Sequence, residues 1–245
     1  GKMGFDRVVW QGESVLEADR VGVRFTRTSP DGEEGYPGNL LCTVTYWWTN
    51  ENTLKIEYEA TTDKTTIVNM SNHTYFNLKG LGKGDVMDHH LWVNSDCYFK
   101  NNDQYVPDGE MLSVENTPFD MRQSHRIDYA VDIPNEQFER MKGFSVCWAL
   151  RNWNNTLSKA ADVWDPHYGR GVETWTTEPG LLIYTGRGLS EKLIGKKDIP
   201  LVKYGGMLLE TIHFADSPNR PDFPSTVLRP GDRYYSTTEF RFYTK

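Results

Sequence analysis

Ile67-Val-Asn-Met-Ser-Asn-His-Thr-Tyr-Phe-Asn-Leu78 is the stretch from which this chain is read most directly. Ile67, Asn69 and Ser71 alternate with Val68 and Met70, the period of a strand with one buried face, so the strand would deliver His73 to a rim or cleft. His73 stands between hydrogen-bonding Asn72 and Thr74, and Tyr75, Phe76 and Leu78 follow as apolar anchors. An imidazole exchanges a proton near neutral pH, its unperturbed pKa being about 6.5. On spacing alone, His73 reads equally as a proton carrier and as a structural histidine capped by its neighbours.

The same period of two runs outward in both directions. Residues 21–28, 40–48, 53–60, 144–151, 156–164, 172–177, 181–185, 207–214 and 233–243 all read as strands. Thr49-Asn-Glu-Asn52 makes 40–48 and 53–60 a hairpin, and Asn152-Trp-Asn-Asn155 sets 144–151 against 156–164 as another. Residues 96–111 read as strand broken by turns at Asn101-Asn-Asp103 and Pro107-Asp-Gly109. Only residues 137–142 have a helical pattern. Strand after strand with almost no helix implies an all-β protein, a large antiparallel β-sandwich. Sandwiches of 245 residues often stay undivided, so residues 1–245 are expected to form one domain.

Hydrophobic residues at 38% and aromatics at 13% supply a sizeable globular core. A net charge of -7 argues against nucleic acid, which needs clustered cations to replace counterions. Cys42, Cys97 and Cys147 are odd in number and widely spaced, signalling neither a disulfide framework nor a zinc site. His89 and His90 are adjacent on a strand and point to opposite faces, so they do not ligate one metal together. Lys79-Gly-Leu-Gly-Lys-Gly-Asp85 lacks the Lys-Ser/Thr ending of a phosphate loop. No apolar run is long enough for a membrane helix, and the first residues carry no leader pattern.

Asn72-His-Thr-Tyr-Phe-Asn-Leu78 resembles the hallmark of the aldose 1-epimerases, and it does not stand alone. Gly4-Phe-Asp-Arg-Val-Val-Trp10, Ser29-Pro-Asp-Gly-Glu-Glu-Gly35 with Pro37-Gly-Asn39, and Thr117-Pro-Phe-Asp120 resemble the same family in the same order. So do Thr176-Thr-Glu-Pro-Gly180 with Tyr184-Thr-Gly186, and Leu209-Glu-Thr211 leading to Asp216-Ser-Pro-Asn219 and Phe223-Pro224. The resemblance implies a curved, many-stranded mutarotase sandwich whose earliest strands would precede residue 1. Gly1 falls where the last glycine of an upstream His-Gly-Gly turn would be, which would place the family's first site histidine and a sugar-binding arginine before it.

The reaction so implied interconverts the α and β anomers of free hexoses such as galactose or glucose, with no cofactor and no metal. A base takes the C1 hydroxyl proton while an acid protonates the ring oxygen, and reclosure from the other face reverses the roles. By the resemblance, Glu210 is the base and His73 the acid. Asn72, Ser145, Trp175 and Tyr184 are the expected sugar contacts. Ser145 in Gly143-Phe-Ser-Val146 stands where the family usually has an aspartate, and Ile212 and Ala215 replace the usual Gln and Pro. Two readings stay open beside it: a non-catalytic or weakened sugar-binding relative, and a sugar-phosphate epimerase, which would want a positive cleft. A monomer or weak homodimer is expected, in the cytoplasm or, behind an upstream leader, in the periplasm.

Overall fold

The computed structural model describes residues 3–102, 104 and 106–245. Gly1, and Asp103 of the turn expected at 101–103, lie outside the described residues. In chain order the strands are β1 (Gln11–Leu16), β2 (Arg20–Ser29), β3 (Leu40–Thr49), β4 (Thr53–Thr62), β5 (Thr66–Ile67), β6 (Tyr75–Phe76), β7 (His90–Val93), β8 (Ser95–Asn101) and β9 (Pro107–Ser113). Then come β10 (His125–Arg126), a short helix α1 (Glu136–Met141), β11 (Ser145–Leu150), β12 (Ser158–Asp165), β13 (Arg170–Thr176), β14 (Gly180–Tyr184), β15 (Met207–Ile212), β16 (Val227–Leu228) and β17 (Tyr234–Thr244). The helix begins where Asn135 accepts the Phe138 N–H at 3.0 Å, the usual service of an asparagine N-cap.

Two antiparallel sheets carry the fold. One has nine strands in the order β1-β2-β3-β4-β17-β13-β12-β7-β10, the other six in the order β6-β15-β14-β11-β8-β9, and β16 pairs with β5 in a small ribbon. Period-two alternation gives each sheet one apolar face, and those faces meet. Ile56, Tyr58, Leu91, Val163, Val172 and Phe240 come from the larger sheet, and Val146, Trp148, Leu181, Ile183 and Leu209 from the smaller. Full burial of one such side chain contributes about 1.5–3 kcal/mol. Trp148 is wholly enclosed and still satisfies its indole N–H, which donates to the Phe119 carbonyl at 3.1 Å.

Expectations at three places need correction: the loop at 152–155, the turn at 107–109 and the strand from residue 67. β11 and β12 do not form a hairpin: β11 pairs with β8 and β14 in the small sheet, and β12 with β7 and β13 in the large one. Asn152 and Asn155 take positive φ (53° and 62°), and the Trp153 indole N–H donates to the Thr177 carbonyl at 2.7 Å, so this loop is a corner from one sheet to the other. Pro107-Asp-Gly109 lies inside β9; Gly109, at φ 83°, lets Arg220 approach its carbonyl oxygen at 3.0 Å.

Residues 68–74 keep the strand period without a ladder. Val68, Met70 and Asn72 are buried while Asn69 and His73 are exposed, yet the partners of this segment are scattered. Val68 N–H donates to the Thr226 carbonyl at 2.8 Å, and the Ser71 hydroxyl to the Thr211 carbonyl at 2.8 Å. The Asn69 amide donates to the His213 carbonyl at 3.0 Å, and its oxygen accepts the His213 N–H at 3.2 Å. Among the described residues, no helix is long and apolar enough to cross a membrane.

Candidate active site

Leu209, Ile183 and Val146 point into the core between the sheets, so their neighbours in sequence point outward. The register then lays out the outer face of the small sheet. Glu210 on β15 stands opposite Leu182 on β14, which stands opposite Cys147 on β11. The adjoining row reads Tyr75, Leu208, Tyr184, Ser145 across β6, β15, β14 and β11. Four segments far apart in sequence thus meet on one surface.

Glu210 is half-buried, and burial pushes its carboxyl above the ordinary glutamate range, because a charge is disfavoured where water is scarce. The positive charge that His73 carries when protonated, and a hydrogen bond from Ser71, pull it partly back. His73 is therefore near enough to act on Glu210 electrostatically while itself open to solvent. Its ring meets Tyr75 edge-on at 5.2 Å, and Tyr75 meets Tyr184 at 6.3 Å. Burial raises the Tyr75 hydroxyl, with Tyr184 and the Glu210 charge adding to the effect. The Tyr184 hydroxyl accepts the Gly188 N–H at 2.6 Å, which fixes the ring.

Of the residues expected at the site, His73, Glu210, Tyr184 and Ser145 come to this surface. Asn72 is turned inward: its amide donates to the Tyr58 hydroxyl at 3.2 Å and its oxygen accepts the Thr74 N–H at 3.4 Å, so it shapes the turn that presents His73. Trp175 is placed elsewhere. It lies on β13 in the nine-stranded sheet, its indole N–H donating to Glu173 at 2.8 Å and its ring lying 4.1 Å beneath the Arg241 guanidinium. Alternation put an aromatic on an outward face, but the sequence does not say which sheet that face belongs to.

Behind Glu210 lies a pair of which the sequence shows one half: His213, three residues on, is expected on the other face, but its partner Glu178 is not marked. His213 faces the opposite side of its strand, where its Nδ1 hydrogen-bonds the buried Glu178 carboxylate, which also accepts the Tyr234 hydroxyl at 3.4 Å. Glu178 was visible in Thr176-Thr-Glu-Pro-Gly180; the missing signal was its burial. A cleft of about 1040 Å³ opens beside Ser71 and His73, with Phe5, Trp10 and Tyr46 on its walls. Glu210 does not line it, so the cleft adjoins the place where His73 and Glu210 approach each other without being that place.

Asp88, His89 and Asp165 bring their donor atoms within 4.8 Å of one another, the spacing of metal ligands, yet those atoms are occupied. His89 Nε2 accepts the Leu78 N–H at 3.2 Å and Nδ1 faces Asp88 at 3.3 Å. Asp88 holds Lys79 at 2.7 Å and His167 at 3.0 Å, and Asp165 accepts the Tyr168 N–H at 2.9 Å. Lys79 supplies the positive charge that an ion would bring. Arg170 and Glu173 are likewise structural, Arg170 donating to the Leu78 carbonyl at 3.0 Å and Glu173 pairing with Lys159 at 2.6 Å.

The aldose 1-epimerase family matches residues 3–241. A galactose mutarotase of Mus musculus is 38% identical over 247 residues, covering 99% of this chain and 68% of the relative. An aldose 1-epimerase of Escherichia coli K12 is 36% identical over 244 residues, covering 99% and 69%. Among solved structures, a galactose 1-epimerase from Lactobacillus acidophilus superposes with a TM-score of 0.81 at 28% identity over 98% of this chain and 68% of its own. An aldose epimerase homologue from C. elegans gives 0.82 at 26% identity over 95% and 68%.

Proposed function

This chain belongs to the aldose 1-epimerase family and interconverts the α and β anomers of an aldose, and we propose that Glu210 and His73 are the base and acid that do it. What supports this assignment is the approach of two separate segments: the Ser71 hydroxyl, two residues before His73, bonds the Thr211 carbonyl beside Glu210 at 2.8 Å, and Tyr75, which His73 meets edge-on at 5.2 Å, pairs with Leu208 on the Glu210 strand. The substrate is a free hexose, galactose first, as the relatives' names indicate.

Glu210 accepts the proton of the C1 hydroxyl as His73 donates one to the ring oxygen. The C1–O5 bond breaks, the aldehyde turns about C1–C2, and O5 closes on the other face with the two protons returning. General acid and base groups contribute about 10²–10⁴-fold each, most when their pKa values lie near the working pH. Burial moves Glu210 in that direction, making it a stronger base than a solvated carboxylate. Tyr75 and Tyr184 offer ring faces and hydroxyls beside the pair. The names of the relatives do not favour a purely sugar-binding role.

Polarimetry on freshly dissolved α-D-galactose tests the assignment. The protein should speed the approach to anomeric equilibrium, and both Glu210→Gln and His73→Asn should remove most of that gain. If either variant stayed as fast as the parent, the pair would not be the acid and base.

A further inference from the structure

On the side of Glu210 away from His73, the surface is apolar. Leu182 stands directly across on β14, Cys147 beyond it on β11, and Ile212 two residues further along β15. All three pack with Phe99, Phe214 and Phe223 in a small cluster outside the main core. Cys147 is buried, its thiol pushed up to about 12 by burial and the Glu210 charge, so it stays neutral, and its S–H points to the Trp148 carbonyl at 3.7 Å. Ser145 and Tyr184 stand in the adjoining row, and the Tyr184 hydroxyl is already engaged by the Gly188 N–H.

The two proton transfers orient the sugar over this surface. O1 must lie at Glu210 and the ring oxygen toward His73. C1 bears the ring oxygen on one side and C2 on the other, so C2 and its hydroxyl are directed away from His73. The strand order β6-β15-β14-β11 puts Leu182 and Cys147 on that side of Glu210.

We propose, on the acid and base assignment above, that the apolar surface of Leu182 and Ile212, backed by buried Cys147, receives C2 of the sugar without hydrogen-bonding its hydroxyl, so that 2-deoxyhexoses are substrates as good as their parent hexoses. A site built to bond a hydroxyl rejects the analogue lacking it by about 10⁴–10⁵-fold, whereas an apolar pocket discriminates by only about 10²-fold or less. Here the deoxy compound leaves no polar group of the protein unpaired, and the parent must strip water from a hydroxyl that gains no partner.

The test compares kcat/KM for 2-deoxy-D-galactose and D-galactose by polarimetry, each catalysed rate divided by the uncatalysed rate for the same sugar. The expected ratio is within about tenfold of one or favours the deoxy sugar. Leu182→Gln should shift it at least tenfold toward D-galactose, while Leu182→Met, which keeps the surface apolar, should hold the parental ratio. A preference of the parent protein for D-galactose beyond a hundredfold, or a ratio unmoved by Leu182→Gln, would overturn the proposal with the acid and base assignment intact. Absence of catalysis with both sugars would overturn that assignment and this proposal together.

Discussion

The Ser71 hydroxyl donates to the Thr211 carbonyl across 2.8 Å, and this bond joins the segment that carries His73 to the strand that carries Glu210. Asn69 repeats the tie two residues earlier by clasping both backbone groups of His213. The segments of the proposed acid and base are thus held in step by side chains placed at the strand period, without a continuous ladder. Ser71 also reaches Glu210, so its one proton has two acceptors in reach.

Glu210→Gln should lower kcat by about 10²–10⁴-fold while leaving sugar affinity within a few-fold, since the amide keeps the shape and cannot take the proton. The same change should raise thermal stability at pH 7 or leave it unchanged. A carboxyl whose folded pKa lies above its unfolded value costs stability once pH exceeds the folded value, and the amide removes that cost. A drop in melting temperature, or equal loss of binding and rate, would mean that Glu210 is structural.

The acid limb of the kcat/KM profile should lie above the ordinary glutamate pKa of about 4.3, because Glu210 must be ionised to act and burial raises it. Ser71→Ala removes a hydrogen bond that favours the ionised form, so the limb should move further up. A limb that stays put or falls in Ser71→Ala would exclude Glu210 as the group titrating there.

Trp175→Ala should leave kcat and KM for the sugar unchanged, since the residue lies on the other sheet. Its cost is stability: the contact with Arg241 at 4.1 Å is a cation–π pair worth about 0.5–1 kcal/mol at an exposed site. A raised KM would return Trp175 to the site.

His213→Ala strips the Glu178 carboxylate of its close partner and leaves the Tyr234 hydroxyl at 3.4 Å. An under-satisfied buried acceptor costs about 1–3 kcal/mol, more if charged, so urea denaturation should show a loss of at least that size. Glu178→Gln, which keeps an acceptor oxygen for Tyr234 and introduces no buried charge, should cost less. The reverse order would mean that the pair is not what holds this corner.

The β3–β4 hairpin was legible almost to the residue, because a turn cluster sits between two alternating runs whose strands pair with each other. β1 was not: its burial pattern is exposed at nearly every position, so no apolar alternation marks it. The error at residues 152–155 arose because Asn-rich loops serve hairpins and sheet-to-sheet corners alike, and only the positive φ angles and the Trp153 anchor separate them. At the site, a motif pointed to His73 and Glu210, whereas Leu182 and Cys147 gain their meaning from register across three strands, which a linear reading does not contain. Asn72 and Trp175 show the complementary limit: period two gives a face, but neither the sheet nor the partner that face meets.

β17 lies between β4 and β13 in the nine-stranded sheet, so during synthesis β4 emerges with an open edge and waits for residues 234–244. At about 5–20 residues per second, a ribosome needs on the order of ten seconds or more to deliver them. Through that interval the edge of β4 is a template for pairing with any other extended chain. The yield of folded protein in a cell should therefore depend on translation speed and chaperone supply more steeply than the stability of the finished sandwich would indicate.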